Sequence, residues 1–274
     1  MMHSGTSDKR STDFMLFDSP AEFARECAKP GVRKYATDEI RWAGGSYDDA
    51  LRYASAGDLK YVSEAERLVE KIDSELDTEG LRPMWQPSVV GNFPLVPAYI
   101  AGTPESMLAR TDVPDARGGL DLWVELGCSC SVKQSDMRRR GVCVLAAAMA
   151  LSRVRNVRVV LFTAFKHTNM AIRLQCPFDV SEVCGMITQT SVTRQLTYRY
   201  SMYRLGEYSG IPWATWGVHS CNTESYRGPL VKYAGMPEDA ELITMQRLGD
   251  WGAMTDEELV DTINGMLRRV SGRE

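Results

Sequence analysis

The sequence has few of the residue patterns that mark metal sites, membrane spans and disulfide-stapled domains. Its 274 residues include three histidines and seven cysteines, an odd number with no C-x-x-C pair. Cys128 and Cys130 are one residue apart, a spacing that zinc and redox motifs do not use. No apolar run reaches about 18 residues, the length that predicts a transmembrane helix. We therefore expect reduced thiols, no bound metal, no cofactor and no membrane partner.

Catalytic motifs are also missing from the sequence. The chain has no P-loop, no G-x-G-x-x-G turn and no G-x-S-x-G nucleophile elbow. A weak enzymatic alternative joins the Cys128 thiol to His167 or His219, which follow predicted strands. The N-terminus is polar and lacks the apolar segment of a signal peptide, so we expect a cytoplasmic protein, in a host cell if the chain is viral. The prediction is a binding protein rather than an enzyme.

The second half of the chain, in contrast, alternates clear strand and helix patterns. Apolar strands are predicted at 120–126, 157–165, 213–218 and 241–246, and helices at 135–153, 179–188, 191–205 and from Thr255 onward. Such alternation predicts an α/β fold with a mostly parallel, Rossmann-like sheet and helices on both faces. We assign residues 119–274 to this domain.

The first half is predicted to be a helical and irregular region. Residues 1–17 are expected to be disordered, and residues 18–118 to pack on the α/β domain. The sequence predicts helices over 20–28, 46–57 and 61–76, the second opened by a Ser46–Asp49 cap and closed by Gly57. Prolines and glycines between 83 and 114 predict irregular structure with one short helix that begins at Thr103-Pro104.

Two resemblances add to this interpretation. Gly127-x-Ser129-x-Ser131 lies between a strand and a helix, where von Willebrand factor A domains carry Asp-x-Ser-x-Ser, so the chain resembles such a domain. The resemblance implies that fold, while glycine in the place of aspartate implies that no divalent cation is bound. The wider chain resembles an uncharacterised family of bacteriophage proteins in the segments 42–46, 96–107 and 139–141. That similarity implies a viral origin and no particular activity.

Charge is distributed unevenly along the chain. The net charge is −4, but the segment from Lys133 to Arg204 holds twelve basic and three acidic residues. That segment therefore carries +9 and the remaining residues carry −13. Such asymmetry is typical of polyanion binding.

Two parts of the basic segment are candidate sites. Arginines 138–140 open a helix next to the 127–131 loop, where free backbone N–H groups and serine hydroxyls suit a phosphate. The stretch 194–204 interleaves tyrosines, which can stack on bases, with arginines. The candidate residues are Ser129, Ser131, Lys133, Arg138, Arg139, Arg140, Lys166, Arg194, Tyr198, Arg199 and Arg204. The structural alternative for arginines 138–140 is that some of them pair with acids of the first half. For 194–204 it is that one tyrosine face packs in the core and an arginine face lies in water.

Two functions follow from these observations. The leading prediction is a non-enzymatic phage protein that binds single-stranded nucleic acid in viral transcription or replication. The alternative is a protein–protein adaptor that contacts a host protein, a viral protein or the acidic half of a sister chain.

Overall fold

The computed structural model describes residues 13–34, 38–73, 82–91, 93–113, 120–127, 132–152, 156–165, 168–174, 179–205, 227–228, 230–238, 240–243, 255–258, 261–262 and 265. The strands in these ranges are β1 (Asp13–Phe17), β2 (Arg82–Ser88), β3 (Phe93–Pro94), β4 (Met107–Val113), β5 (Leu120–Glu125), β6 (Val157–Phe165), β7 (Thr168–Arg173) and β8 (Glu241–Ile243). The α-helices are α1 (Pro20–Cys27), α2 (Pro30–Arg33), α3 (Ile40–Ala43), α4 (Tyr47–Ala56), α5 (Val62–Asp73), α6 (Val96–Ile100), α7 (Gln134–Ser152), α8 (Val180–Thr188) and α9 (Tyr198–Leu205). Val192–Thr197 and Leu230–Ala234 are π-helical.

Five strands form the main sheet in the order β1-β7-β6-β5-β8. β5 pairs in parallel with β6 and with β8, and β1 pairs in parallel with β7. The pair β6–β7 is antiparallel. Helix α7 connects the parallel strands β5 and β6, as a βαβ crossover requires. The prediction of an α/β fold with a mostly parallel sheet is therefore confirmed.

The two faces of the main sheet bury separate apolar clusters. Leu122 and Leu161 face the helical side, where α5, α7 and α8 pack on one another. Trp123 and Phe162 face the other side and pack with Leu230 of the second π-helical segment. Side chains of a strand alternate between faces, so neighbouring residues of β5 and β6 enter different clusters. Both faces of the sheet are thus covered, which explains why these strands are almost continuously apolar.

Glycine permits the closest helix contact on the helical side. A Cβ added to Gly141 of α7 would lie 2.3 Å from the carbonyl oxygen of Ile187 in α8. No larger residue fits at this distance without a shift of one helix. The glycine of the segment 139–141 is therefore explained by the packing of α7 against α8.

Serine side chains cap two helices, and the cap of α4 is the one that was predicted. Ser19 accepts a hydrogen bond from the backbone N–H of Glu22, and α1 begins at Pro20. Ser46 and Asp49 form a reciprocal capping box at the start of α4. Within the described ranges, no helix is both long and apolar enough to cross a bilayer.

We call the main sheet and the helices packed on it the main domain. Two expectations for this domain need correction. Residues 13–17, expected to be disordered, form β1 because Phe17 packs against Phe23 and Tyr200 and the backbone pairs with β7. Residues 168–173 were not expected to form a strand, yet they form β7. β1 pairs with a strand that is distant in the chain, and a local pattern does not show such a partner. β7 pairs both with β1 and with β6, which directly precedes it in the chain.

The proline-rich stretch after α5 is also more regular than predicted. β2, β4 and β3 form a three-stranded antiparallel sheet, here called the arm, which includes α6. Pro83 and Pro87 lie in β2, an edge strand, where a missing N–H is tolerated. The short helix begins at Val96, and the segment after Thr103, where we expected it, leads into β4. The strand expected at 213–218 lies outside the described residues.

Candidate functional site

The basic segment divides into buried, ion-paired and exposed side chains. Arg194 is 2% exposed, and its guanidinium stacks 4.6 Å from the centre of the Trp42 ring. It donates hydrogen bonds to the carbonyl oxygens of Trp42 and Val132. A buried cation is stabilised by such carbonyl acceptors and by the ring face. Arg194 therefore holds the fold together and is not displayed to solvent.

The neighbouring residues of the same helix are buried as well. Arg199 is 5% exposed, and burial lowers its pKa. Tyr198 is buried, and Tyr200 packs edge-on against the rings of Phe17 and Phe23. Burial raises the pKa of Tyr200 to about 12. No base can stack on these rings in this conformation, so Arg194, Tyr198 and Arg199 do not belong to an exposed site. The structural alternative is confirmed for the packed tyrosines but is wrong for the arginines, because Arg194 and Arg199 are buried instead of lying in water.

The helical residues 190–199, all buried and here called the buried polar helix, contact the segment Trp42–Ser46. Gln195 donates to the carbonyl oxygen of Gly45, and Thr190 donates to that of Ala43. Gly44 has a φ of 84°, and a Cβ there would lie 1.9 Å from the Thr190 hydroxyl oxygen. Only glycine fits this conformation and this space. The segment Trp42–Ser46, here called the tryptophan-glycine motif, therefore has a structural role, because these contacts fix its conformation.

The arginines at the start of α7 have different roles. Arg140 is buried and donates to the carbonyl oxygen of Glu125 at 2.8 Å, at the carboxyl end of β5. Arg139 forms a 2.9 Å ion pair with Asp256, which also contacts Lys71. Hydrogen bonds from Lys71 and then from Arg139 hold the pKa of Asp256 below its usual value. These contacts join α5, α7 and the C-terminal residues and leave neither arginine available for phosphate.

Three candidate cations remain at the surface. Lys133, Arg138 and Arg204 are exposed. Arg138 lies 5.2 Å from the centre of the Tyr61 ring, and Lys60 lies 5.4 Å from the same centre. The predicted site residues Ser129, Ser131 and Lys166 lie outside the described residues. The structure therefore does not bring the eleven candidates together on one face.

The thiols in the described ranges are poor nucleophiles. Cys27, Cys143 and Cys184 are free and buried, and burial raises the pKa of Cys143 to about 11. A thiolate is the reactive form, so such thiols are inert at neutral pH. Among the described residues, no three His, Cys, Asp or Glu side chains are grouped as a metal site requires. Cys128, His167 and His219 of the enzymatic alternative lie outside these residues.

A surface that the sequence prediction missed lies on the arm. Six large apolar side chains are exposed between β2 and the end of α6: Val89, Val90, Phe93, Val96, Tyr99 and Ile100. We call residues 89–100 the tip. Tyr99 is 72% exposed and Ile100 is 79% exposed. The sequence signal was present, because no charged residue occurs from Pro83 to Pro104. From this charge-free, proline-rich stretch we predict irregular structure that packs on the α/β domain, but its apolar side chains are exposed at the surface.

Comparison with known proteins identifies one family. The family described as Domain of unknown function (DUF7192) matches residues 7–201. The match covers more than half of the chain and includes the arm, the tryptophan-glycine motif and the buried polar helix. No curated protein and no solved structure matches the chain.

Proposed function

We propose that this chain, which belongs to the DUF7192 family, is a non-enzymatic protein–protein adaptor that binds its partner through the tip. The carrying observation is the exposure of six large apolar side chains within twelve consecutive residues that contain no charge. Contiguous exposed apolar patches of several hundred Å² mark interaction surfaces on soluble proteins. Six exposed apolar side chains so close together in the chain support an interaction surface at the tip.

The tip has the pattern of a helix that docks in a groove. Val96, Tyr99 and Ile100 of α6 are spaced as i, i+3 and i+4 and are all exposed. In a helix that packs on its own domain, this stripe would be buried. An exposed stripe at this spacing supports recognition by an apolar groove on another protein, with the aromatic ring as an anchor.

Binding of single-stranded nucleic acid is the second candidate. It is supported by the exposed cations Lys133 and Arg138 and by the Tyr61 ring beneath Arg138. It loses support from the burial of Arg194, Tyr198 and Arg199, which supplied the interleaved aromatic pattern. The adaptor proposal therefore explains more of the exposed side chains than the nucleic-acid proposal does.

The finer fold assignment also belongs to this proposal. The β5-α7-β6 unit, with parallel strands joined by a helix, supports a Rossmann-like domain of the von Willebrand factor A type. Such a domain would serve as a scaffold that displays the arm. A viral origin, with a viral or host partner, remains a prediction from the resemblance alone.

Site-specific photo-crosslinking tests the adaptor. A photoreactive phenylalanine analogue at Tyr99 should form a covalent adduct with another protein in cells that express the chain. The same analogue at Tyr203, an exposed tyrosine of α9, should not. Ile100→Asp should abolish the adduct at position 99 and should weaken binding of the purified partner at least tenfold, because a charge then enters an apolar contact.

The nucleic-acid candidate predicts a different result. Single-stranded oligonucleotides would be shifted in gels at low salt, and replacing Lys133, Arg138 and Arg204 with alanine would remove the shift. A shift with that dependence, together with no protein adduct at Tyr99, would overturn the adaptor.

A further inference from the structure

Two exposed cations share one tyrosine ring at the surface of the main domain. The ammonium nitrogen of Lys60 lies 5.4 Å from the centre of the Tyr61 ring, and the guanidinium carbon of Arg138 lies 5.2 Å from it. Tyr61 is half-buried and packs against the apolar core. Because both distances end at one ring centre, the two cationic groups are neighbours, although Lys60 precedes α5 and Arg138 belongs to α7. We call Lys60, Tyr61 and Arg138 the Tyr61 site.

The Tyr61 site lacks a paired carboxylate in the part of the chain that the structure describes. There, no carboxylate oxygen lies within 4.0 Å of the Lys60 ammonium or of the Arg138 guanidinium. Asp58 is close to Lys60 in the chain, but its carboxylate accepts hydrogen bonds from the Gln189 side chain and from the backbone N–H of Lys60. Like charges at neighbouring positions repel each other, and an anion held between them removes the repulsion.

Two other tyrosine rings show how a single cation is balanced in this protein. Arg33 lies 5.6 Å from the centre of the Tyr47 ring and forms an ion pair with Asp48 at 2.8 Å. Arg52 lies 4.5 Å from the centre of the neighbouring tyrosine ring and forms an ion pair with Asp49 at 3.6 Å. In both places one cation has one acid. The Tyr61 site has two cations and no such acid among the described residues, and this difference favours an anion from another molecule.

We propose that the Tyr61 site binds a phosphate monoester. Such a group carries a charge of about −1.5 to −2 at neutral pH, which matches the two cations. The guanidinium of Arg138 can donate two parallel hydrogen bonds to two phosphate oxygens, and the ammonium of Lys60 can donate to a third. The half-buried ring attracts both cations to one place, so less side-chain entropy is lost when the anion binds.

A single phosphate group fits this site better than a nucleic-acid strand does. A strand is bound by a row of cations that follows its successive phosphates. The arginines next to Arg138 do not extend the site into such a row, because Arg139 is paired with Asp256 and Arg140 is buried. The bound monoester would belong either to a small molecule or to a phosphorylated side chain of a protein. This inference uses a different surface from the tip and does not depend on the adaptor proposal.

Isothermal titration calorimetry on the purified full-length chain tests the site with three probes: glycerol phosphate, a neutral peptide that carries phosphoserine, and the same peptide without phosphate. Both phosphate probes should bind, and the unphosphorylated peptide should not. Lys60→Ala and Arg138→Ala should each raise the Kd for both phosphate probes about fivefold or more, because each removes one of the two charges, and the double variant should abolish binding. Tighter binding of the phosphopeptide would assign the group to a protein, and equal affinities would assign it to a small molecule.

The control variants distinguish this site from a general effect of net charge and from misfolding. Arg52→Ala removes a cation that also faces a tyrosine ring but has an acidic partner, and it should leave both affinities unchanged. Arg138→Lys keeps the charge and loses the paired hydrogen bonds, so its affinity should lie between those of the parent and Arg138→Ala. Circular dichroism should show the same fold for every variant.

Three results would overturn the phosphate site. The first is no binding of either phosphate probe at millimolar concentrations. The second is binding that the alanine variants at Lys60 and Arg138 leave unchanged, which would mean adventitious anion binding elsewhere on the surface. The third is a single-stranded oligonucleotide that binds through these two residues more tightly than glycerol phosphate does. None of these results affects the photo-crosslinking test at Tyr99, so the adaptor proposal and this site are judged separately.

Discussion

The main domain and the arm invert the usual distribution of polar and apolar side chains. In the main domain, Arg194 is 2% exposed and its neighbours Thr193, Gln195 and Thr197 are buried. In the arm, Ile100 is 79% exposed. Arginine is among the residues least often buried, and isoleucine is among those most often buried. The location of a residue in this protein is therefore decided by the partners that the fold supplies, more than by its type.

The physical difference between the two regions is the number of layers. The main sheet has a packed layer on each face, and the backbone carbonyl oxygens of Trp42 and Val132 accept hydrogen bonds from the buried guanidinium of Arg194. The tip helix α6 has no buried residue. Apolar side chains without a second layer remain in water unless another molecule covers them. This contrast supports the proposal that the arm is a binding surface and the main domain is its scaffold.

Replacing one isoleucine in each region by alanine should give the largest difference in the free energy of unfolding. Ile172→Ala in β7 should lower the free energy of unfolding by about 3–4 kcal/mol, because a fully buried side chain leaves a cavity. Ile100→Ala in the tip should change it by less than about 0.5 kcal/mol. Urea unfolding followed by circular dichroism measures both. Equal losses at the two positions would mean that the tip is packed and that the contrast is false.

The buried arginine tests whether polar groups of the main domain matter as much as apolar ones. Arg194→Ala should cost about 3 kcal/mol, since it removes the stacking on Trp42 and the hydrogen bonds to the carbonyl oxygens of Trp42 and Val132, of which the first keeps a hydrogen bond from Gln134. Arg204→Ala, at an exposed position near the end of the same helix, should cost less than about 0.5 kcal/mol. Chemical unfolding gives both values. If Arg194→Ala lowers the free energy of unfolding as little as Arg204→Ala, the contacts of Arg194 with the tryptophan-glycine motif do not stabilise the fold.

A substitution at the contact between α7 and α8 should have a smaller effect on stability. Gly141→Ala should destabilise the main domain by about 2 kcal/mol, because the new methyl group would collide with the Ile187 carbonyl oxygen. The better helix propensity of alanine, about 1 kcal/mol, offsets only part of this cost. Gly228→Ala serves as the matched control, since an added Cβ there meets no atom within 4 Å. Thermal unfolding of the two variants should therefore separate them, and a stabilised Gly141→Ala protein would contradict the close contact.

The smallest effect is expected where the C-terminal residues meet the main domain. Asp256→Asn should cost about 0.5–1 kcal/mol at neutral pH, because Asp256 is partly exposed and solvent screens its contacts with Lys71 and Arg139. The folded protein holds the pKa of Asp256 below the ordinary value of 3.8. The contribution is therefore complete above that value and is lost as the pH falls through the lower folded pKa.

Unfolding at several pH values checks this dependence on Asp256. The stability difference between the parent and Asp256→Asn should narrow in acid, whereas Glu257→Gln, a change at the exposed neighbouring position, should leave the stability at neutral pH close to that of the parent. A difference that is independent of pH would show that the side chain acts by packing and not by charge.

Local chemistry made part of this structure predictable. The serine cap of α4, the glycine that ends α4, and the long strand β6 depend on residues adjacent in the chain, and all were predicted from it. The candidate site was predicted less well. Arg138 and Arg204 are exposed as expected, but a run of arginines and tyrosines has the same appearance whether the helix lies at the surface or in the centre. Its burial depends on Trp42, which is more than 150 residues away in the chain from both Arg194 and Arg199.

The sequence by itself determined the class of fold, because hydrophobic periodicity and capping act over a few residues and decide which segments become strands and helices. The tertiary structure alone decided which charges are buried, which strands pair and which apolar residues stay in water. Those outcomes depend on contacts between segments that are distant in the chain, such as β1 with β7 and Arg194 with Trp42. A local pattern carries no information about a partner that only folding brings near, and the function proposed here depends on such contacts.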